Sequence, residues 1–211
     1  MENCYDEKTF VHRFCGVRRD DGGAVGNIFP ASRTDIDGVT RSGYLDEEGR
    51  TVLPFAYASA GEFAPCGLAA VEDEKWQTAV IDREGKLIVD YTESPVSVDF
   101  SDSMIAYRYA DHSVYYALSG TNLGSYPGAE GFFEDGLLLC RNAQTGRYSF
   151  VKEDGTAAFA AEYDAAGAFS DGLALVRSLS GAYLVIDTAG ATKATLDAGA
   201  DPAYYTVYGG D

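Results

Sequence analysis

Histidine, methionine and tryptophan are almost missing from this chain: two His, two Met and one Trp in 211 residues. The histidines, at 12 and 112, form no cluster, and no Cys-x-x-Cys spacing joins the four cysteines. A zinc site therefore has no ligand set, and no metal or cofactor is expected. Basic residues are half as many as acidic ones, 16 against 33, for a formal charge of −17. Such a surface repels phosphate backbones, so nucleic acid is excluded as a partner, while cations or basic partners remain open. No stretch approaches the roughly 18 to 20 apolar residues of a membrane helix, so no transmembrane segment is expected. Met1-Glu2-Asn3-Cys4-Tyr5-Asp6 carries no basic region followed by an apolar one, so no export signal is expected in the chain as given.

Catalytic motifs are lacking too. There is no Gly-x-Ser-x-Gly elbow, no glycine-rich phosphate loop and no 12-residue segment with a helical period. His112 sits in Asp111-His112-Ser113, between Tyr107-Arg108-Tyr109 and Val114-Tyr115-Tyr116, as a solvated hairpin residue. Glu47-Glu48 and Glu153-Asp154 fall in tips where nothing desolvates a carboxylate enough to make it a catalytic acid. Asp35-Ile36-Asp37-Gly38 resembles a fragment of a calcium loop but lacks the further ligands and the closing Glu, and reads as a turn. No catalytic residue is assigned, and the chain is not expected to be an enzyme.

What is present is a repeat. Leu68-Ala69-Ala70-Val71-Glu72, Met104-Ile105-Ala106-Tyr107-Arg108, Leu137-Leu138-Leu139-Cys140-Arg141 and Leu173-Ala174-Leu175-Val176-Arg177 are four apolar residues closed by a charge, each after Gly67, Ser103, Gly136 or Gly172. That is the pattern of a strand buried on both faces. A second strand and a tight turn follow each copy and also precede the first, the turn ending at Gly49, Gly85, Gly120, Gly155 and Gly190, with steps of 36, 35, 35 and 35 residues. These glycines are expected at positive φ. A third strand comes next, in Thr51-Val52-Leu53, Leu87-Ile88-Val89, Ala157-Ala158-Phe159 and Thr192 to Leu196. The connectors Tyr57-Ala58-Ser59-Ala60-Gly61-Glu62-Phe63 and Tyr163-Asp164-Ala165-Ala166-Gly167-Ala168-Phe169 are extended enough to supply a short fourth. Phe63, Phe100, Phe133 and Phe169 recur at one point of the unit and are assigned to packing between units.

The fold class expected is all-β: tandem 35-residue antiparallel β-meander repeats, β-propeller-like, with an open superhelical β-repeat array as the alternative. Residues 1–40 read as an irregular segment with one strand, Thr9 to Val17, and 41–211 as five repeats in one continuous domain. A ring would close by pairing the segment around Phe10 to Val17 with Tyr204-Tyr205-Thr206-Val207-Tyr208. By alignment, Cys140 stands where Val71, Tyr107 and Val176 stand and is a small buried hydrophobe. Cys66 lies in a turn, and Cys4 and Cys15 could pair with each other or with Cys66.

The unit resembles the bacterial WG (KWG) repeat, which runs approximately Trp-Gly-Tyr-Ile-Asp-x-x-Gly-Lys, an apolar strand with Pro and Tyr, then Phe-Ser-x-Gly-Leu-Ala-x-Val. Gly43-Tyr44-Leu45-Asp46 to Gly49, Gly67-Leu68-Ala69-Ala70-Val71 and Phe169-Ser170-Asp171-Gly172-Leu173-Ala174 to Val176 carry the resemblance, over residues 43 to about 196. The Trp is preserved at Lys75-Trp76, with Gln77 for the following Gly. The resemblance implies a β-rich repeat protein at a bacterial surface or outside the membrane, with no catalytic residues to carry over. The function expected is a binding or scaffold module for protein or glycan, with Trp76, Tyr107, Tyr109, Tyr115 and Tyr116 as a candidate aromatic patch. Ordinary cross-strand packing is the competing account of the tyrosines. A glycosidase-like or lyase-like enzyme would instead gather its carboxylates in one deep pocket.

Overall fold

An apolar run closed by a charge must find hydrogen-bond partners for its backbone on both sides, because no water reaches it. The computed structural model, which describes residues 27–196, meets that demand with strands alone. In chain order they are β1 (Phe29–Thr34), β2 (Thr40–Leu45), β3 (Thr51–Tyr57), β4 (Ser59–Ala60), β5 (Leu68–Glu72), β6 (Thr78–Asp82), β7 (Leu87–Thr92), β8 (Ser97–Phe100) and β9 (Met104–Arg108). There follow β10 (His112–Ala117), β11 (Asn122–Pro127), β12 (Ala129–Glu134), β13 (Leu137–Arg141), β14 (Tyr148–Lys152), β15 (Tyr163–Ala166), β16 (Leu173–Ser178), β17 (Tyr183–Asp187) and β18 (Thr192–Leu196). The chain divides into two compact units, residues 1–94 and residues 95–211.

The first unit holds the sheets β1-β2-β3 and β4-β5-β6-β7. The second holds β11-β10-β9-β8 and a seven-stranded sheet running from β12 to β18 in sequence order. Every pairing is antiparallel between sequence neighbours, so the fold is all-β and propeller-like in its unit, a four-stranded meander. The four apolar runs are β5, β9, β13 and β16, each flanked by a strand on both sides. The connector does supply the fourth strand, from the two residues of β4 to the six of β12.

Two features depart from the expected pattern. β1 stands where the apolar run stands in later repeats, pairing with β2 through Ser32↔Ser42 as β5 pairs with β6. Its Ser32-Arg33-Thr34 end is polar, which conceals it in the sequence. Ala157-Ala158-Phe159 is not a strand and keeps one bridge, Val151↔Ala157. Alanine packs poorly on a pleated surface, and Phe159 turns inward to stack on Phe150 at 5.6 Å. β15 then pairs with β14 through Tyr148↔Tyr163, which fuses the last two repeats into one sheet. The proposed closure of the chain ends, Cys4 and Cys15 all lie outside the described residues.

The turns repeat to the level of single bonds. At Gly49, Gly85, Gly120, Gly155 and Gly190 φ is +78°, +80°, +87°, +78° and +78°. Each glycine N–H donates to the carbonyl three residues back, which belongs to Asp46, Asp82, Ala117, Lys152 and Asp187 in turn. Between successive repeats an aromatic pair recurs: Tyr44 with Phe63 at 4.8 Å, Tyr115 with Phe133 at 5.6 Å and Phe150 with Phe169 at 4.8 Å. Such pairs add about 0.5–1.5 kcal/mol beyond their burial. Val80 holds the first place of that pair in the second repeat, the repeat after which the chain divides.

Candidate functional site

In each repeat one residue near the end of the central strand faces one across the hairpin, and it is charged in all but the first. The register makes these pairs Ser32–Ser42, Glu72–Thr78, Arg108–Ser113, Arg141–Tyr148 and Arg177–Tyr183. Ser42, Thr78 and Ser113 are the buried polar residues among those described, and each hydroxyl has a partner. Ser32 Oγ lies 3.0 Å from Ser42, Ser94 Oγ lies 3.2 Å from Thr78, and Arg108 Nη1 donates to Ser113 at 3.2 Å. Arg141, which faces Tyr148, lies over that ring instead, 5.6 Å from its centre. Arg108 is the most fully held: Nε to Asp99 at 2.8 Å, Nη1 also to the Tyr115 hydroxyl at 2.7 Å, and Nη2 to the Gly131 carbonyl at 2.7 Å. It is a structural clamp.

Arg141 instead stands exposed between two clefts of the second unit, of about 310 and 420 Å³. Both are lined by Asp111, Gly128, Arg141, Asn142 and Ala143. In the smaller cleft Tyr109 and His112 stack face to face at 4.7 Å, and His112 Nδ1 lies 2.7 Å from Asp111 Oδ1. The hydrogen bond and charge of His112 hold the Asp111 carboxyl below its ordinary range. The larger cleft runs along β11, with Ser125, Ser149 and Gln144 offering polar groups beside Pro127 and Val151. Gly128 makes the junction, its N–H donating to the Asp111 carbonyl at 3.1 Å and its carbonyl accepting from Arg141 N–H at 2.7 Å. The assembly offers a flat aromatic surface, one cation, two carboxylates (Asp111, Glu130) and several amide groups, a set suited to binding a polar ligand.

The five aromatic candidates do not form one surface patch. Tyr107 and Tyr115 are 0% exposed. Tyr115 turns into the core of the second unit, donating to the Gly131 carbonyl at 2.6 Å. Tyr107 packs against Tyr116 at 5.3 Å, and Tyr116 is half-buried. Tyr109 lines the smaller cleft, and Trp76 stands 64% exposed on a hairpin tip of the first unit. Tyr107 occupies the place of Val71, Cys140 and Val176, and its hydroxyl is buried with no hydrogen-bond partner. Burial pushes its ionisation up, beyond reach of ordinary pH. Tyr107→Phe should therefore leave stability unchanged or raise it by about 1 kcal/mol. Thermal melting checks this, and a lower melting temperature would mean the hydroxyl has a partner.

Elsewhere in the described residues a set of aspartates caps the turns. Asp46, Asp73, Asp82 and Asp187 each accept two backbone N–H groups of their own turn through one oxygen. Asn142 does the same in the tip beside the clefts. No group of three or more His, Cys, Asp or Glu side chains able to hold a metal occurs among the described residues. Cys140, buried in β13, is a free thiol pushed up to about 11 by burial, then by Glu130, and Cys66 is free and half-buried. Gly128, Arg141 and Asn142 escaped the sequence reading, although Pro127-Gly128 is a turn signal and Asn142 a turn former.

Residues 43–76 and 148–178 match the family model for the WG containing repeat. Both stretches resemble the WG repeat. Aligned on the turn glycine, the Trp of the WG pattern falls on Ser42, Thr78, Ser113, Tyr148 and Tyr183, the residues that face Ser32 in the first repeat and the strand-closing charge in the other four. Trp76 falls two residues before that place, so it is not the WG tryptophan, and the assignment of Lys75-Trp76 to it is corrected. No curated protein matches the sequence. Similar solved structures include KlHsv2 with loop 6CD replaced by a Gly-Ser linker, at 11% identity and TM-score 0.43, covering 80% of this chain and 62% of that one. BamB from Moraxella catarrhalis shows 11% identity and TM-score 0.41 over 82% of this chain and 62% of that one. The WD40 beta propeller domain of Doa1 shows 13% and 0.38 over 82% and 66%. This chain spans less than two thirds of the length of the first two. Among the described residues no helix is long and apolar enough to cross a membrane.

Proposed function

We propose that this chain is a non-catalytic binding or scaffold module that takes a protein or glycan ligand in the paired clefts around Gly128. The observation that carries the reading is the cleft pair itself, where the hairpin tips of two neighbouring repeats place Tyr109, His112, Asp111, Arg141 and Asn142 around one opening. The rigid meander sets the tips and the tips present the variable side chains, which is how repeat scaffolds bind. Asp111 and Glu130 are the two carboxylates at the smaller cleft, and Asp111 is already bonded to His112, which favours binding over hydrolysis. The resemblance to surface-associated WG proteins supports a location at or outside the bacterial cell envelope. The test is calorimetry of the full chain against cell-wall glycan fragments and against a panel of extended peptides. One class should bind, and the double change Tyr109→Ala with His112→Ala should weaken it about tenfold or more while leaving the melting temperature unchanged. Equal affinity in the variant, or cleavage of the ligand during the titration, would overturn the reading.

A further inference from the structure

Three of four related hairpin tips contain a glycine where the fourth contains the chain's single tryptophan. In the tips that begin at Asp35, Asp73, Asn142 and Ser178, one residue returns its N–H to the first carbonyl and takes positive φ. It is Gly38 at +80°, Gly146 at +71°, Gly181 at +89°, and Trp76 at +60°. A bulky side chain in the left-handed region is a conformational outlier that glycine would avoid. The indole gains little in return from its own fold, being 64% exposed. A residue that strains the backbone and leaves its apolar surface in water breaks two local rules at once, and such breaches concentrate where a surface is used.

The neighbouring tip supports this. Ile36, at the apex of the Asp35 turn, is fully exposed, and the two tips are tied together by Arg41, which reaches Asp35 at 3.3 Å and Glu74 at 3.2 Å. An aliphatic and an indole side chain are thus presented on two tips fixed by one guanidinium, among Asp35, Asp37, Asp73 and Glu74. We propose that Trp76 and Ile36 anchor a protein–protein contact whose partner presents an apolar pocket with a basic rim. Trp is the commonest kind of anchor in such contacts, and lysine or arginine from the rim would meet both the indole face and the tip carboxylates. A formal charge of −17 steers a basic surface inward and works against an anionic lipid surface. A branched aliphatic apex beside the ring does not suit a sugar face. This contact belongs to the first unit and the clefts to the second, and they share no residue, so either reading can fail alone.

Because Trp76 is the only tryptophan, the fluorescence of the full chain reports on this tip alone. The probes are a synthetic peptide of alternating Leu and Lys, its Leu and Glu counterpart, anionic phospholipid vesicles and a chitooligosaccharide. Emission should move to shorter wavelength and saturate with the Leu and Lys peptide only. Calorimetry with Trp76→Gly should show affinity for that peptide about tenfold weaker or lost, while the melting temperature stays equal or rises as the strained φ is relieved. A lower melting temperature would make the indole a packing residue. Unchanged affinity in the variant would reduce the attraction to overall charge, and a shift with vesicles or oligosaccharide instead would assign the tip to another class of ligand. Any of these overturns the proposal.

Discussion

Leu139→Asp is expected to cost about 4 kcal/mol or more, lowering the melting temperature by roughly 10 °C or beyond. Leu139 is 3% exposed in the middle of β13, opposite Phe150 on one side and Glu130 on the other. It belongs to the largely apolar cluster of Phe150, Phe169, Val176 and Ile186, and the facing Glu130 adds a like charge. Burial raises the pKa of the new carboxyl in the folded state above its unfolded value, so the penalty is smallest below the unfolded pKa of about 3.9 and grows as pH rises towards the folded one. Melting at pH 4 and pH 7 checks both parts. A small loss, independent of pH, would mean that β13 is not buried on both faces.

That strand was legible because burial on both faces leaves a continuous apolar run, and a run recurring at a fixed step is a strong signal. The same physics explains what was missed. β1 was hidden because Ser32 and Arg33 are polar, the hydroxyl of Ser32 bonding Ser42 where later repeats place a larger side chain. Ala157 to Phe159 was read as a strand from its place in the repeat, but two alanines give a strand little to pack, and Phe159 covers Gly190 so closely that a Cβ there would come within 2.7 Å of its ring. Turn glycines were readable because positive φ restricts the residue type. The candidate site was less so. A cluster of tyrosines does not say which face of a strand each occupies: alternation in β10 sends Tyr115 inward and Tyr116 to the other face, while Tyr109, past the end of β9, lies at the cleft. Aligning Tyr107 with Val71 and Cys140 already placed it at a core position.

The acidity has a similar explanation. Repeating turns need repeated caps, and aspartate accepts two turn N–H groups at once while tolerating the geometry of the tip. The Lys193 bond, then the turn N–H groups, lower the Asp187 carboxyl, and at Asp46 the backbone and side chain of Arg50 outweigh desolvation to do the same. Where the cap position holds Lys152 instead, Asp154 moves in to accept from Thr156 N–H at 2.9 Å. The negative charge at Asp46, Asp73, Asp82, Asp154 and Asp187 therefore follows from turn chemistry repeated along the chain.

Gly128→Ala is expected to remove about 3 kcal/mol or more, because it combines left-handed strain with the loss of two backbone hydrogen bonds. A Cβ on Gly128 would lie 2.0 Å from the Arg141 carbonyl oxygen, and φ there is +64°. Backbone atoms cannot yield as a flexible side chain would, so β12 must shift away from β13. The bonds from Gly128 to Asp111 and from Arg141 to Gly128 then stretch or break. Gly136→Ala is the matched control, since φ is +77° there but nothing lies within 4 Å of the added carbon. It should show the conformational cost alone, about 1 kcal/mol. The difference between the two losses isolates the close approach of the chains, and equal losses would mean that the approach at Gly128 is not maintained in solution. Because Gly128 lines both clefts, ligand binding should fall in Gly128→Ala at temperatures where the variant is still folded and stay unchanged in Gly136→Ala. The residue that joins two neighbouring repeats would then also be the one that holds their binding surface open.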